Sequence, residues 1–141
     1  MTRYLVDNSV WQLLPHSVVV REAINALLDA EDELCCCALS LDEFAYSARS
    51  AADHAAATAR MRSSFLFLPS SAASDAMAAE IRTQLWNAGK GRSAGVVDVA
   101  IAAIAAVADS VVLHYDGDFD HITDVEPAVR SRWVVPRGST D

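Results

Sequence analysis

Basic residues are scarce: the 141 residues hold 11 Lys+Arg against 19 Asp+Glu, a formal charge of −8, and Lys90 is the single lysine. That balance argues against nucleic-acid binding through a broad basic face, because phosphate contacts need clustered cations. Aromatic residues make up only 7%, and alanine dominates an apolar fraction of 52%, which favours closely packed helices over a β-sandwich rich in Val, Thr and Tyr. The same apolar fraction excludes a disordered chain. Cysteine occurs only as the run Cys35-Cys36-Cys37. Neighbours in an extended segment face opposite ways, so no disulfide framework spans the fold, and no Cys-x-x-Cys pair offers a thiolate metal site. These features predict a reduced, cytoplasmic protein. Long hydrophobic runs are missing too: the longest, Val99 to Ala108, is too short to cross a bilayer. The chain passes from Arg3 through Tyr4-Leu5-Val6 to the charged Asp7 without a signal-peptide pattern. No Gly-x-x-x-x-Gly-Lys loop is present for a nucleoside triphosphate, and Ser9, Ser40 and Ser47 lack the Gly-x-Ser-x-Gly setting of an esterase nucleophile.

What is present is an alternation of short apolar runs with helical patterns. Strands are predicted at Tyr4–Val6, Leu34–Leu39, Phe65–Leu68, Val111–His114 and Trp133–Val135, the last continuing into Pro136-Arg137-Gly138-Ser139. A short helical pattern through Trp11, Leu13 and Leu14 is broken at Pro15-His16-Ser17, and a second over Val18–Ala30 sets Ala23, Ile24, Leu27 and Leu28 on one face. Ser40-Leu41-Asp42-Glu43 reads as a capping box opening a long Ala-rich helix that runs beyond Arg60. Ser74 is expected to cap a helix through Met77, Ile81, Leu85 and Trp86, ended by Gly89, and Val96–Ala108 forms another. This order implies a single α/β domain around a mostly parallel sheet of four to five strands.

In an open parallel sheet, functional groups gather outside the carboxyl ends of the strands. Asp7 ends the first predicted strand and Asp116 follows the fourth. Glu43 and Asp98 fall in the first turns of helices entering from the same edge, and Asp118 and Asp120 trail Asp116 at alternate positions. Each acid has a plainer reading alone. Glu43 can complete a capping box, Asp7 can cap a helix or turn the chain, Asp98 can answer a helix dipole, and Asp116-Gly117-Asp118-Phe119-Asp120 can be a solvated turn. A calcium loop fails, because Pro127 rather than Glu stands twelfth from Asp116. Asp98 is the hardest to explain structurally, since an unpaired carboxylate between Val96-Val97 and Val99-Ala100-Ile101 is costly. Converging carboxylates repel unless a cation joins them. An all-oxygen set suits a hard divalent ion, Mg2+ or Mn2+. Phosphodiester hydrolysis uses such an ion to lower the pKa of a bound water and to steady the leaving oxygen.

Four segments in order, Leu5-Val6-Asp7-Asn8-Ser9-Val10-Trp11, Ser40-Leu41-Asp42-Glu43-Phe44-Ala45-Tyr46-Ser47-Ala48-Arg49, Val97-Asp98-Val99-Ala100-Ile101-Ala102-Ala103 and Leu113-His114-Tyr115-Asp116-Gly117-Asp118-Phe119-Asp120-His121-Ile122, resemble PIN-domain ribonucleases. The likeness is specifically to VapC-type toxins of bacterial toxin–antitoxin pairs and spans essentially the whole chain, one PIN domain over residues 1–141. It implies a Rossmann-like three-layer α/β/α fold. It makes Asp7, Glu43, Asp98 and Asp116 the catalytic acids, with Asp7, Asp98, Asp116 and Asp118 as ligands of Mg2+ (or Mn2+) and Glu43 as a further ligand or the base that orients water. Asp120 matches a more variable acidic position outside that set. Where the family has Thr or Ser after the first acid, this chain has Asn8, whose amide can still hydrogen-bond the carboxylate. The resemblance also implies RNA as substrate, a homodimer, and inhibition by a VapB-type antitoxin whose C-terminal segment covers the active site. Ser9 matches the family's small hydroxyl residue. With Arg49, near Glu43, and Arg92, ahead of Asp98, it is a candidate for RNA binding, because arginine forks onto phosphate.

Other chemistries compete. His114 and His121 flank the acidic loop and would suit a metal-free acid–base ribonuclease, but His114 falls inside a predicted strand, which assigns it to the core. A Mg2+-dependent phosphoacceptor signalling domain also clusters acids at strand ends, yet it needs a lysine ending a late strand, and Lys90 precedes a helix. A PIN-like nuclease acting on DNA is the alternative within the class. The spacing of Trp11 and Trp86 favours core packing, while Phe44, Tyr46, Leu85 and Trp86 are candidates for an antitoxin groove. Taking Asp7, Glu43, Asp98, Asp116 and Asp118 from the 19 acids leaves 14 against 11 bases, so the negative charge is concentrated where a cation would neutralise it.

Overall fold

A computed structural model describes residues 1–141. Five strands, β1 (Arg3–Val6), β2 (Glu33–Cys36), β3 (Leu66–Phe67), β4 (Val111–His114) and β5 (Arg130–Trp133), form one all-parallel sheet in the order β3-β2-β1-β4-β5. The chain therefore builds outward from β1 to one edge, then crosses to the other side for β4 and β5. The gap between the carboxyl ends of β1 and β4 is the switch point where doubly wound sheets open a crevice.

Alternation along the strands sends neighbouring side chains into different layers. Leu5 and its register partners Cys35 and Val112 join Ile81, Leu85, Ile101, Phe119 and Ile122 in one core, beneath α5 (Ala72–Asn87), α6 (Val96–Val107) and α7 (Asp118–Val125). Tyr4, Val6, Leu34 and Leu113 face the other way onto Val10, Val20, Ile24 and Leu27 of α1 (Asn8–Leu13) and α2 (Val18–Asp29). A smaller core of Cys36, Leu41 and Met61 lies under α3 (Ala38–Ala45) and α4 (Ala51–Ser64). The cysteine run is thus split among cores, with all three thiols free and buried, and burial pushes Cys35 up to about 11. Leu5 has no exposed surface. Leu5→Ala should lower stability by about 2–5 kcal/mol, seen as an earlier urea midpoint at unchanged m-value.

Two helix starts lie one turn upstream of their expected positions. Ser40 is the third residue of α3, where its hydroxyl accepts the Cys37 N–H at 2.9 Å. The second strand accordingly stops at Cys36, short of the expected Leu39. In the same way Ser71, not Ser74, caps α5, the two serines bonding reciprocally at 2.8 and 3.1 Å. Serine here fills the third-residue place that Glu or Gln occupies in the common box, so a serine inside the helix resembles one at its cap. The long Ala-rich helix is also interrupted: Ser50 accepts the Asp53 N–H at 3.0 Å and starts α4 afresh after α3 ends at Ala45. Helix α7 was masked by its turn-like Asp116-Gly117-Asp118 entry, and β5 occupies Arg130–Trp133 rather than Trp133–Val135.

Candidate metal centre

Asp7 lies immediately after β1, and its N–H donates to Leu113 O of β4 at 2.9 Å, which ties the two strand ends of the switch point together. Its carboxylate caps α1, with Oδ2 accepting the Ser9 N–H at 3.0 Å. The Ser9 hydroxyl in turn accepts the Tyr115 N–H at 2.9 Å, joining the start of α1 to the segment after β4. The side chain placed among candidate RNA contacts therefore bridges the two chain segments that carry Asp7 and Asp116. Asp7 is 5% exposed, and burial raises its carboxyl above the usual range. Hydrogen bonds from Ser9 oppose that rise and the charge of Asp116 adds to it.

Asp98 is the third residue of α6, one turn after the Gly95 cap. Its carboxyl is pushed up to about 7, first by burial and then by Asp7, Asp116, Asp118 and Glu43 in that order. The acids gathered from distant parts of the sequence thus share one electrostatic environment. Ligand oxygens of Asp98, Asp116 and Asp118 all lie within 4.8 Å of one another. Asp7 and Glu43 flank this triad. Glu43 sits on α3 at the exposed rim, far enough into the helix that the capping reading does not apply. Its carboxyl is raised by partial burial, then by Asp7 and Asp42.

The loop that delivers Asp116 is held by a neutral histidine. His114 is fully buried, packed against Phe119 and Trp133 with ring centroids 4.9 and 5.0 Å apart. Burial pushes it down to about 4, and its Nδ1 accepts the Asp116 N–H at 3.1 Å. Asp116 Oδ1 then accepts the Asp118 N–H at 3.0 Å, starting α7. This is the arrangement of a support for the acids, not of a solvent-facing acid–base pair. Asp120 is also committed elsewhere: both its oxygens receive the Trp133 indole N–H, at 3.1 and 3.2 Å. Lys90 pairs with Asp124 of α7 at 3.5 Å rather than with the acid cluster, which removes the lysine a phosphoacceptor site requires.

Beside Glu43 opens a groove of about 520 Å³, lined by Asn8, Trp11, Gln12, Asp42, Phe44, Tyr46 and Ser47 among others. Phe44 and Tyr46 therefore share a groove as expected, but the other two residues proposed for it do not. Leu85 is fully buried, and Trp86 belongs to a separate patch with Arg82, Arg92 and Val96. Trp86 is also not in the core. It is 58% exposed, its ring lies across Gly91, where a Cβ would fall 2.1 Å away, and the Arg92 guanidinium sits 6.0 Å from its centroid. Only the missing side chain at Gly91 allows that approach, a requirement that the apolar spacing of the helix does not reveal. Arg49 is exposed in the segment between α3 and α4.

Fold and acidic edge together define an α/β domain that gathers carboxylates, the donors a hard cation takes, at the switch point of a parallel sheet. The chain belongs to the PIN-domain family, whose model matches residues 4–125, a span that includes all five site acids. Ribonuclease VapC21 of Mycobacterium tuberculosis (strain ATCC 25618 / H37Rv) is 32% identical over 140 residues, covering 98% of each chain. Among solved structures, VapBC-1 from nontypeable Haemophilus influenzae superposes with a TM-score of 0.76 at 18% identity, over 94% of this chain and 98% of that one. VapBC-5 from Mycobacterium tuberculosis, a member of the VapBC family of toxin-antitoxin systems, gives 0.65 at 21% identity, over 93% and 98%. These structural likenesses establish the three-layer fold.

Proposed function

We propose that this protein is a divalent-cation-dependent endoribonuclease toxin of the VapC type, neutralised by a VapB-type antitoxin. The observation that carries the reading is Asp98, a half-buried carboxyl pushed up to about 7 among four other acids with no arginine or lysine paired to any of them. Only a bound cation or a proton relieves such a cluster, and the donor set of carboxylate oxygens without Cys or His fits Mg2+ or Mn2+. Asp98, Asp116 and Asp118, with Asp7 at their flank, would hold the ion. When bound it supplies charge for a nucleophilic water and for the leaving oxygen of the phosphodiester. Glu43, at the open rim, orients that water and takes its proton. His114 and Ser9 keep Asp116 and Asp7 in place from below. Arg49 and Arg92 draw the RNA backbone toward this edge.

The test is incubation of the purified protein with total RNA in Mg2+ or Mn2+, beside a chelator control and Asp98→Asn. Cleavage confined to the metal-loaded wild type is the expected result; cleavage that survives chelator or substitution refutes the mechanism. The same reading places the protein in the cytoplasm as a homodimer, the second point being checked by sedimentation. It also assigns the groove beside Glu43 to the antitoxin. Tyr46 is 86% exposed there, so Tyr46→Glu should weaken antitoxin binding by about 10-fold or more while leaving RNA cleavage within about threefold of wild type. A pull-down titration with cleavage assayed in parallel measures both.

A further inference from the structure

Beyond β5 the chain turns back toward the segment that carries Asp116. Val134 N–H donates to His114 O at 2.8 Å, extending the strand register, and the next residues turn at Pro136-Arg137-Gly138-Ser139, where Ser139 N–H donates to Pro136 O at 3.0 Å. Gly138 has φ +80°, the left-handed value required at the third place of a type II turn, which leaves Arg137 at the outer corner. Gly138 N–H donates to the Tyr115 hydroxyl at 2.7 Å, and Asp141 accepts from the Ser17 hydroxyl and from the Val18 N–H at the start of α2. The turn is therefore tied on one side to the residue preceding Asp116 and on the other to α2.

This places an unpaired cation beside Gly117, the residue between two of the proposed ligands. The Arg137 guanidinium lies 5.7 Å from the centroid of the Trp133 ring, which the bond to Asp120 orients. Its Nη1 comes within 3.4 Å of where a Cβ on Gly117 would stand, and Gly117 separates Asp116 from Asp118. Arg137 is exposed and pairs with no carboxylate, unlike Arg3 with Glu33 or Arg130 with Asp109. Its position over the Trp133 ring at the corner of the turn leaves its forked donors unpaired and available to a third group. Arg137 lies outside residues 4–125, the span matched by the PIN-domain model.

We propose that Arg137 is a phosphate-binding residue of the ribonuclease site, gripping a backbone phosphate of the RNA next to the scissile bond and so directing the strand across Asp98, Asp116 and Asp118. Planar forked donors match phosphate oxygens bidentately, and the indole face keeps the charged fork in place without neutralising it. The proposal rests on the ribonuclease reading above.

Steady-state cleavage of a short single-stranded RNA by the full chain in Mg2+ tests it. Arg137→Ala should raise KM about tenfold with kcat within about threefold, and Arg137→Lys should recover part of the loss as a point charge. The log–log salt dependence of kcat/KM should fall by about 0.7, the share of one phosphate contact on a single strand. Mn2+ affinity, measured by titration calorimetry, should be undiminished. Tyr115→Phe, which removes the acceptor that anchors Gly138, should give a smaller rise in KM with the full salt slope retained. Unchanged KM and salt slope in Arg137→Ala overturn the proposal, as does a loss carried in kcat or accompanied by weaker Mn2+ binding. A wild type that cuts no RNA with either ion removes the ribonuclease reading and this proposal together, whereas an active wild type matched by Arg137→Ala removes the proposal alone.

Discussion

Asp98→Asn should reduce RNA cleavage by about 10²–10³-fold or more and at the same time make the metal-free protein harder to unfold. The loss follows because Asp98 feels the charge of all four other acids and is also part of the triad whose oxygens lie within 4.8 Å. An amide of the same shape keeps one oxygen but gives up the charge that binds a hard cation, and preorganised charge of this kind carries losses of that size when removed. The gain follows from the same neighbourhood. Without metal, the folded state must confine a half-buried carboxylate beside Asp7, Asp116, Asp118 and Glu43. Removing that charge should stabilise the fold by about 1–2 kcal/mol after screening by nearby water, or roughly 3–7 °C in Tm. Thermal unfolding in chelator, with cleavage in Mn2+, measures both quantities. A merely structural Asp98 predicts the opposite pairing, lower stability with activity retained, so the signs alone separate the two accounts.

The acids could be read from the sequence because a parallel sheet turns a pattern in one dimension into a place. A carboxylate just past a strand, or in the first turn of the helix that returns to it, must lie at one edge whatever the loops do. That is why Asp7, Asp98 and Asp116 were recognisable, and why Leu5, Cys35 and Val112 fall into one layer by alternation alone. Which carboxylates meet was not recognisable, because it depends on side-chain hydrogen bonds formed after folding. Asp7 and Asp120 both lie at the edge, yet one is turned onto the Ser9 amide and the other onto the Trp133 indole. The supporting role of His114 likewise depends on its ring being pressed between Phe119 and Trp133. Its position inside a strand predicted burial but not the bond to Asp116.

Trp86 and the tail show a different limit. A helix period marks a side chain as inward-facing only if the neighbouring loop covers it, and here the loop offers the bare backbone of Gly91, so the ring lies across the surface. Arg137 is invisible to patterning because its place is set by one turn, one hydroxyl and one indole. Long, periodic elements are specified many times over by the sequence; single-contact features are specified once and become evident only in three dimensions.

Metal and pH should act on stability chiefly through the Asp98 proton, with Asp7 and Glu43, also raised, adding to it, and the metal-induced rise in Tm should grow from pH 5 to pH 8. In the unfolded chain Asp98 titrates near 3.8 and in the metal-free fold at about 7, so between these values the folded state holds a proton that the unfolded state has lost. A raised acid of this kind favours the fold at low pH, and the benefit is lost as pH climbs to about 7. His114 has the reverse effect: its folded value of about 4, against 6.5 unfolded, lowers stability as pH falls through that range. The two nearly cancel in the wild type between pH 4 and 6.5, which would hide either from a simple stability profile. Metal separates them, because the ion must displace the Asp98 proton and does not touch buried His114. Below pH 7 the apparent affinity for Mn2+ should therefore weaken about tenfold per unit, and the stabilisation at fixed Mn2+ should shrink by about 1.4 kcal/mol per unit while the site remains near saturation. Asp98→Asn should remove most of this slope, leaving the smaller share of Asp7 and Glu43. Thermal unfolding at pH 5, 6, 7 and 8, with and without Mn2+, gives the whole comparison; a metal shift independent of pH would mean that the ion binds without displacing a proton from Asp98. On the proposed reading the same linkage lets a chain with formal charge −8 approach RNA: proton and cation would compete for one cluster, and the cation would offset the charge that repels phosphate.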